Sequence, residues 1–331
     1  MDTTTHVATP DAILRTASGF MATKHLFAAN ELGLFEALAD SPATIDALAA
    51  RTGLTVRAAR ISADAMVALG LLERTGDLYR NGEAAAAFLS GRGPADLRPL
   101  LRFWDRISYP AWVDLASALA KGPSNEIFQL HDALQEVASR GIEAILAGPT
   151  AALPLAYDFS AHQRLLDIGG GTGSWSIAAV RAYPRLTARV LELPPVAEVA
   201  RKRIGAAGLD SRITVVAADA NRDPLPSDCD VFLLANILHY GSPATNRALL
   251  QRVRQASTTG ATLLMADFWT DPTHTSPIEA AMMAGEFAVH LREGDVYSVD
   301  EVRHWLEQTE WRFVRHATLA GPQSLVIAQA S

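Results

Sequence analysis

Glycines recur at every second position in Asp167-Ile168-Gly169-Gly170-Gly171-Thr172-Gly173-Ser174-Trp175, between an apolar run and a segment of helical period through Ile177, Ala178 and Val180. Glycine at such places lets the backbone turn tightly and meet a ligand with no Cβ in the way, and the helix that follows offers unpaired N–H groups. The spacing G-x-G-x-G at Gly169, Gly171 and Gly173 is not the G-x-G-x-x-G of a dinucleotide fingerprint, so it carries no pointer to a pyrophosphate. Asp167, just ahead of the loop, would repel a phosphate and pair with an ammonium. Glu192 ends the next apolar run, placed to accept hydrogen bonds from ribose hydroxyls; Asp219 and Ala220 follow the third run near the same edge, where Asp219 can meet an adenine amino group. The plainer role for Glu192 and Asp219 is to cap the helix that follows. Taken together these residues describe an adenosine with a cationic, phosphate-free tail. S-adenosylmethionine fits that description and NAD fits it poorly.

His239 follows a fourth apolar run, on the side of an open α/β sheet where ligands bind and a base is useful. The elements that must position these residues are five near-continuous apolar runs, Arg164–Gly169, Ala188–Pro194, Arg212–Asp219, Asp230–Asn236 and Ala261–Phe268, separated by segments of helical period. Strands of that kind are buried on both faces and predict a parallel α/β sheet. The chain then closes with WRFVRHATL, the turn AGPQ and SLVIAQA, a hairpin in which at least one strand runs against the others.

Ahead of the sheet, Leu26, Ala29, Leu32, Leu34, Phe35 and Leu38 lie at helical spacing around a turn at Gly33. Ser41 and Thr44 offer caps to a short helix, Gly53 turns into a second helix ending at Gly70, and a hairpin turns at Gly76-Asp77, which is a winged-helix layout. That layout suits DNA binding, with Arg57 and Arg60 on phosphates, or a dimerisation scaffold. The second helix favours the scaffold, since it has no Lys, Asn or Gln to read base edges. Seams are expected at Gly91–Pro94, Lys121–Asn125 and Ala147–Thr150. They divide the chain into 1–97 (winged-helix-like), 98–156 (linking helices rich in aromatics, including Phe128) and 157–331 (the sheet).

The 331 residues carry 29 Lys and Arg against 36 Asp and Glu, a net charge of −7 that offers no global field to hold a polyanion or an anionic membrane. The lone cysteine, Cys229, excludes an internal disulfide and a four-cysteine zinc site and fits a reducing compartment. No run reaches the roughly 18 apolar residues of a membrane helix, and the first residues lack the layout of a secretory signal, so a cytoplasmic protein is expected.

DIGGGTGSW resembles motif I of class I S-adenosylmethionine-dependent methyltransferases. With the winged-helix-like unit and NILHYGSPATNRALLQRV after the fourth strand, the chain resembles small-molecule O-methyltransferases of the caffeic-acid and bacterial natural-product type, from about Phe20 to Ala328. The resemblance implies a Rossmann-like seven-stranded sheet ending in an antiparallel hairpin, a mainly α N-terminal dimerisation domain that binds no nucleic acid, and a homodimer. It implies His239 as general base, Asp267 as the acid that orients it, and no metal, although Asp219, Asp230 and Asp267 are carboxylates that a metal-dependent relative would need. The acceptor pocket is expected from Phe103, Trp104 and Trp112, from Asn236 near the base, and from Met283 and Phe287, which share a helical face from which Met282 is offset. Two departures stand out: Tyr240 follows the histidine where the family has Asp, and the second acid expected before the last helix falls on Val296, beside Asp295. The implied activity is O-methylation of an aromatic or polyketide-like small molecule. Methyl transfer to nitrogen or carbon, a non-methylating reaction with the same cofactor, and a small-molecule-sensing regulator are the alternatives.

Overall fold

The computed structural model describes residues 8–124, 127, 130 and 132–331; Asn125, Phe128 and the first seven residues lie outside the described residues. The chain forms two compact units, Met1–Pro110 with Asp132–Ala144, and Ala111–His131 with Ile145–Ser331.

In the first unit, α1 (Asp11–Glu31) and α2 (Leu34–Ala37) meet at Gly33, whose φ of 71° is the left-handed turn that the spacing required. β1 (Ala43–Thr44) leads to α3 (Ile45–Thr52) and α4 (Val56–Ala68). Thr44 and Thr55 cap these two helices, their hydroxyls accepting from the N–H groups of Ala47 and Ala58. β2 (Leu72–Thr75) and β3 (Leu78–Asn81) form the expected hairpin, and β1 adds antiparallel to β3. Phe27, Leu34, Phe35, Leu48, Met66, Leu72 and Tyr79 make its core. On α4, Arg60 pairs with Asp64, which also accepts from the Tyr79 hydroxyl at 2.6 Å. The unit continues through α5 (Glu83–Phe88) and α6 (Arg98–Phe103).

α7 (Tyr109–Trp112) and α8 (Leu115–Lys121) precede α9 (Asp132–Ala156). The seam expected at Ala147–Thr150 is instead the interior of α9, with Pro149 and Pro154 both inside the helix. Proline there removes a helical hydrogen bond without forbidding the helix where packing holds it, and Leu153 is fully buried in the sheet's core. The contact boundary between the units falls nearby, between Ala144 and Ile145, so the segment 98–156 belongs to neither unit as a whole.

The second unit is a seven-stranded sheet. β4 (Arg164–Ile168), β5 (Thr187–Glu192), β6 (Ile213–Ala217), β7 (Val231–Ala235) and β8 (Thr262–Asp267) are mutually parallel, and the hairpin of β9 (Trp311–Thr318) and β10 (Ser324–Ala330) completes the order β6-β5-β4-β7-β8-β10-β9. β10 is antiparallel to both neighbours, the one reversal that the terminal hairpin demanded. α10 (Ser174–Ala182), α11 (Pro194–Ala206), α12 (Pro243–Ala256), α13 (Ile278–His290) and α14 (Val299–Gln308) accompany the strands, and apolar clusters lie on both faces. After β4 the chain winds outward to β5 and β6, then returns to β7 on β4's other side. That reversal opens a crevice at the carboxyl ends of β4 and β7, the place where such sheets bind ligands. Among the described residues, no helix is long and apolar enough to cross a membrane.

Candidate active site

Two loops meet at the crevice. Gly169, Gly171 and Gly173 have φ of 65°, 55° and 84°, and Gly173 stands at the N-cap of α10. A Cβ on Gly169 would come within 2.3 Å of Ile237 Cδ1, so glycine is required here for conformation and for close approach of the loop after β7. Asp167 is fully buried. Its Oδ2 accepts from Ser176 Oγ at 2.7 Å, and its Oδ1 has no hydrogen-bond partner. Burial pushes the Asp167 carboxyl up to about 7; the Ser176 hydroxyl opposes the rise and the charge of Glu192 adds to it. Glu192, at the end of β5, accepts the Gly171 N–H at 2.9 Å and the Leu193 N–H at 2.7 Å, which ties the strand end to the glycine loop.

The residues fit the cofactor that the loop implies. A buried carboxylate oxygen lacking a donor is the complement of an ammonium, and a carboxylate with two backbone donors keeps lone pairs for ribose hydroxyls. Asp219 sits at the same sheet edge and turns the chain locally: its Oδ1 accepts from the Asn221 N–H, and Arg222 lies at 3.5 Å. The Ala220 carbonyl accepts from Arg252 Nε at 2.8 Å. Asp219 therefore caps a turn and not a helix, since among the described residues no helix stands between β6 and β7, and it lies at an edge also suited to a ligand.

The second loop carries His239. Asn236 ends β7 with φ of 57°, its N–H donating to the Ala266 carbonyl at 2.8 Å and its Oδ1 buried without a partner. A left-handed non-glycine residue at a strand end is strained backbone, tolerated best by Asn and concentrated at functional sites. His239 follows on a single 3-10 turn, Leu238–Tyr240. Its ring Nδ1 lies 2.7 Å from Asp267 Oδ1 at the end of β8, with the histidine 6% and the aspartate 2% exposed. Asp267 also accepts the Phe268 N–H at 2.9 Å, so its carboxylate is held rather than free to rotate. A carboxylate accepts, so Nδ1 carries the proton and Nε2 presents the lone pair. Phe287 of α13 lies flat against the imidazole, with centroids 4.2 Å apart and planes 4° apart. Tyr240 covers it at 4.3 Å and a 45° tilt. Burial, followed by the charges of Asp267 and Glu192, pushes the Tyr240 phenol up to about 12, so it stays neutral; both loops therefore act on one neighbourhood.

Of the expected pocket residues, Met283 packs with Phe287, Phe268, Leu291 and Val296 in one apolar cluster, while Met282 is 59% exposed. Trp112 reaches α13 from α7: its Nε1–H donates to Glu286 at 2.5 Å, and a Cβ on Gly285 would lie 2.6 Å from its ring. Phe103 and Trp104 belong to the other unit, where Phe103 is buried against Gly141 and Trp104 packs on the core. Val296 is a buried apolar residue, and the Asp295 carboxylate accepts the Val296 N–H at 2.7 Å. Asp230 starts β7, bonded to the N–H groups of Gln163 and Arg164 at the opposite end of the sheet from Asp267. The sequence reading missed Glu286 and His290, both buried on α13 with Nε2 of His290 3.2 Å from Glu286. Their i,i+4 spacing in the largely apolar stretch after Glu279 was the available signal.

A family model for the O-methyltransferase domain matches residues 127–312, and one for the O-methyltransferase dimerisation domain matches residues 14–91. The tetracenomycin polyketide synthesis 8-O-methyl transferase TcmO of Streptomyces glaucescens is 33% identical, covering 98% of each chain. The N,N-dimethyltransferase OxyT of Streptomyces rimosus is 30% identical over 94% of this chain and 93% of its own. Among solved structures, PigF with SAH superposes with a TM-score of 0.83 at 27% identity, covering 97% of this chain and 100% of that one.

Proposed function

Because the chain belongs to the O-methyltransferase family, a methyltransferase with its own dimerisation domain, we propose that it methylates a hydroxyl of an aromatic small molecule from S-adenosylmethionine as a homodimer, with His239 as general base. The observation that carries the reading is the buried pair of His239 Nδ1 and Asp267 Oδ1, 2.7 Å apart, at the mouth of the β4/β7 crevice beside the glycine loop.

The acceptor sets the problem. A phenol with a pKa of about 10 that gave its proton fully to a histidine of about 6.5 would cost about 4.8 kcal/mol, at about 1.36 kcal/mol per pKa unit. His239 lowers that penalty by taking the proton at Nε2 as the oxygen attacks, and Asp267 supports the imidazolium that forms. Asp167 and Glu192 are the residues that would hold the cofactor's ammonium and ribose, with Asp219 and Ala220 toward its adenine. When bound, the cofactor supplies an electrophilic methyl on a sulfonium, which needs no metal to react. Phe268, Phe287 and Met283 surround the base with apolar side chains that exclude water and hold a flat acceptor.

The test has two parts. Calorimetry with S-adenosylhomocysteine, and NAD as control, should give binding that Glu192→Ala weakens. Transfer of a labelled methyl to a panel of phenols should then be lost in His239→Ala while that binding persists. Full turnover by His239→Ala overturns the assignment of the base.

A second reading is methyl transfer to nitrogen, favoured by the similarity to OxyT. An amine with a free lone pair needs a base less, so labelled methyl on an amine at near-normal rate in His239→Ala would select it.

A further inference from the structure

We propose that Phe287 is a positioning residue for the base: its π-face, laid flat on His239, stabilises the imidazolium and keeps Nδ1 on Asp267. The inference rests on the reading of His239 as the base and adds a role for a residue otherwise expected only to line the acceptor pocket.

The geometry is specific. The two rings are 4.2 Å apart and parallel to within 4°, whereas Tyr240 and Phe268 meet the imidazole tilted by 45° and 57°. Apolar burial alone disfavours a charged imidazole. A cation above an aromatic face is attracted by the ring quadrupole, most strongly where water is excluded. Phe287 therefore supplies a surface that removes water yet favours the protonated ring, alongside the Asp267 charge in its plane. The flat contact also opposes rotation of the ring, which would take Nδ1 off Asp267 and present the wrong nitrogen to the acceptor. α13 fixes Phe287 through its neighbours: Trp112 packs on Gly285 and donates to Glu286, and Met283 shares the cluster one turn back.

The charge of Glu192 also reaches this neighbourhood, acting on Tyr240. Asp267 of β8 holds Nδ1, and Tyr240 on the same turn stays neutral. The Asp295 N–H donates to the His239 carbonyl at 3.1 Å while its carboxylate bonds the Val296 N–H. On α13, Trp112 donates to Glu286, and His290 Nε2 lies 3.2 Å from the same carboxylate.

The experiment is an NMR titration of the full-length protein carrying ¹³C-labelled histidine, with the His239 resonance among the nine histidines assigned by its loss in His239→Gln. Phe287→Leu keeps an apolar side chain and removes the π-face, and the pKa of the His239 ring should fall by about one. Phe287→Tyr should restore it. Binding of S-adenosylhomocysteine by both variants establishes that they fold, and Phe287→Met provides a second π-free variant if the leucine does not. In the pH profile of kcat/KM, the acid limb should move to lower pH together with a lower plateau in Phe287→Leu. An unchanged ring pKa in folded Phe287→Leu or Phe287→Met overturns the proposal and leaves Phe287 as packing. So does a lowered plateau with an unmoved limb. The titration needs no acceptor, so it fails or succeeds separately from the assignment of methyl transfer.

Discussion

The two loops at the crevice differ in how complete they are. The loop after β4 holds a buried carboxylate with one oxygen lacking a donor among the described residues, and its companion Glu192 accepts two backbone N–H groups. The turn after β7 holds His239, whose Nδ1, carboxylate partner and ring face are all fixed by the protein itself. The first arrangement leaves the oxygen of a buried carboxylate open to a ligand, whereas in the second the contacts of the imidazole are made by the protein, and the open group there is the neutral amide oxygen of Asn236. Affinity should therefore respond to changes in the first loop and rate to changes in the second.

The most severe break of that contrast is His239→Ala. It should lower kcat by about 10²–10⁴-fold, measured by labelled methyl transfer, with the Kd for S-adenosylhomocysteine unmoved. Loss of affinity together with rate would show that the loops are not separable. Glu192→Ala tests the other side. Removing hydrogen bonds to a charged group, at about 1.5–3 kcal/mol, should raise that Kd by about 10–100-fold by calorimetry and leave kcat at saturating cofactor within a few-fold.

A finer probe uses pH. Asp167 has its carboxyl raised to about 7, so the ligand-free protein binds the proton below that pH and must release it to pair with an ammonium. Between pH 6 and 7 the affinity for S-adenosylhomocysteine should rise by about fivefold, with proton release visible as a buffer-dependent enthalpy, and Asp167→Asn should flatten both. The sign for stability is opposite. A native carboxyl with a raised pKa binds more protons than the unfolded chain, so the ligand-free protein loses stability as pH rises from about 4 through about 7. Thermal melts of wild type against Asp167→Asn across that window measure the loss. The smallest effect is expected from Asp295→Ala. This exposed carboxylate bonds a neighbouring N–H and not the base, so kcat should change by no more than about twofold.

Much of this was legible in the sequence where a short segment encodes its own geometry. Gly169, Gly171 and Gly173 announced left-handed turns, and Glu192 and His239 announced themselves by standing at strand ends. Thr44, Gly53 and Gly33 fixed the N-terminal unit in the same local way. What depends on packing between distant segments was hidden. Pro149 and its neighbours read as a break, yet the burial of Leu153 keeps α9 continuous through them. Met283 and Phe287 were recognisable as one face of a helix, but no spacing says that Phe287 lies on His239. The Trp112 and Glu286 contact joins residues 174 apart in the chain and has no local signature. Phe103 and Trp104 looked like the same aromatic stripe as Trp112 until the boundary between the units passed between them.

The placement of β10 has a consequence for how the protein is made. Ser324–Ala330 follows every other strand in the chain, yet it lies inside the sheet between β8 and β9, with Ser324 opposite Asp267. While the ribosome is still translating that segment, β8 has an open edge, and the strand end that carries the partner of His239 lacks its neighbour. The carboxylate that meets His239 Nδ1 thus depends, for one flank of its own strand, on a segment translated well after it.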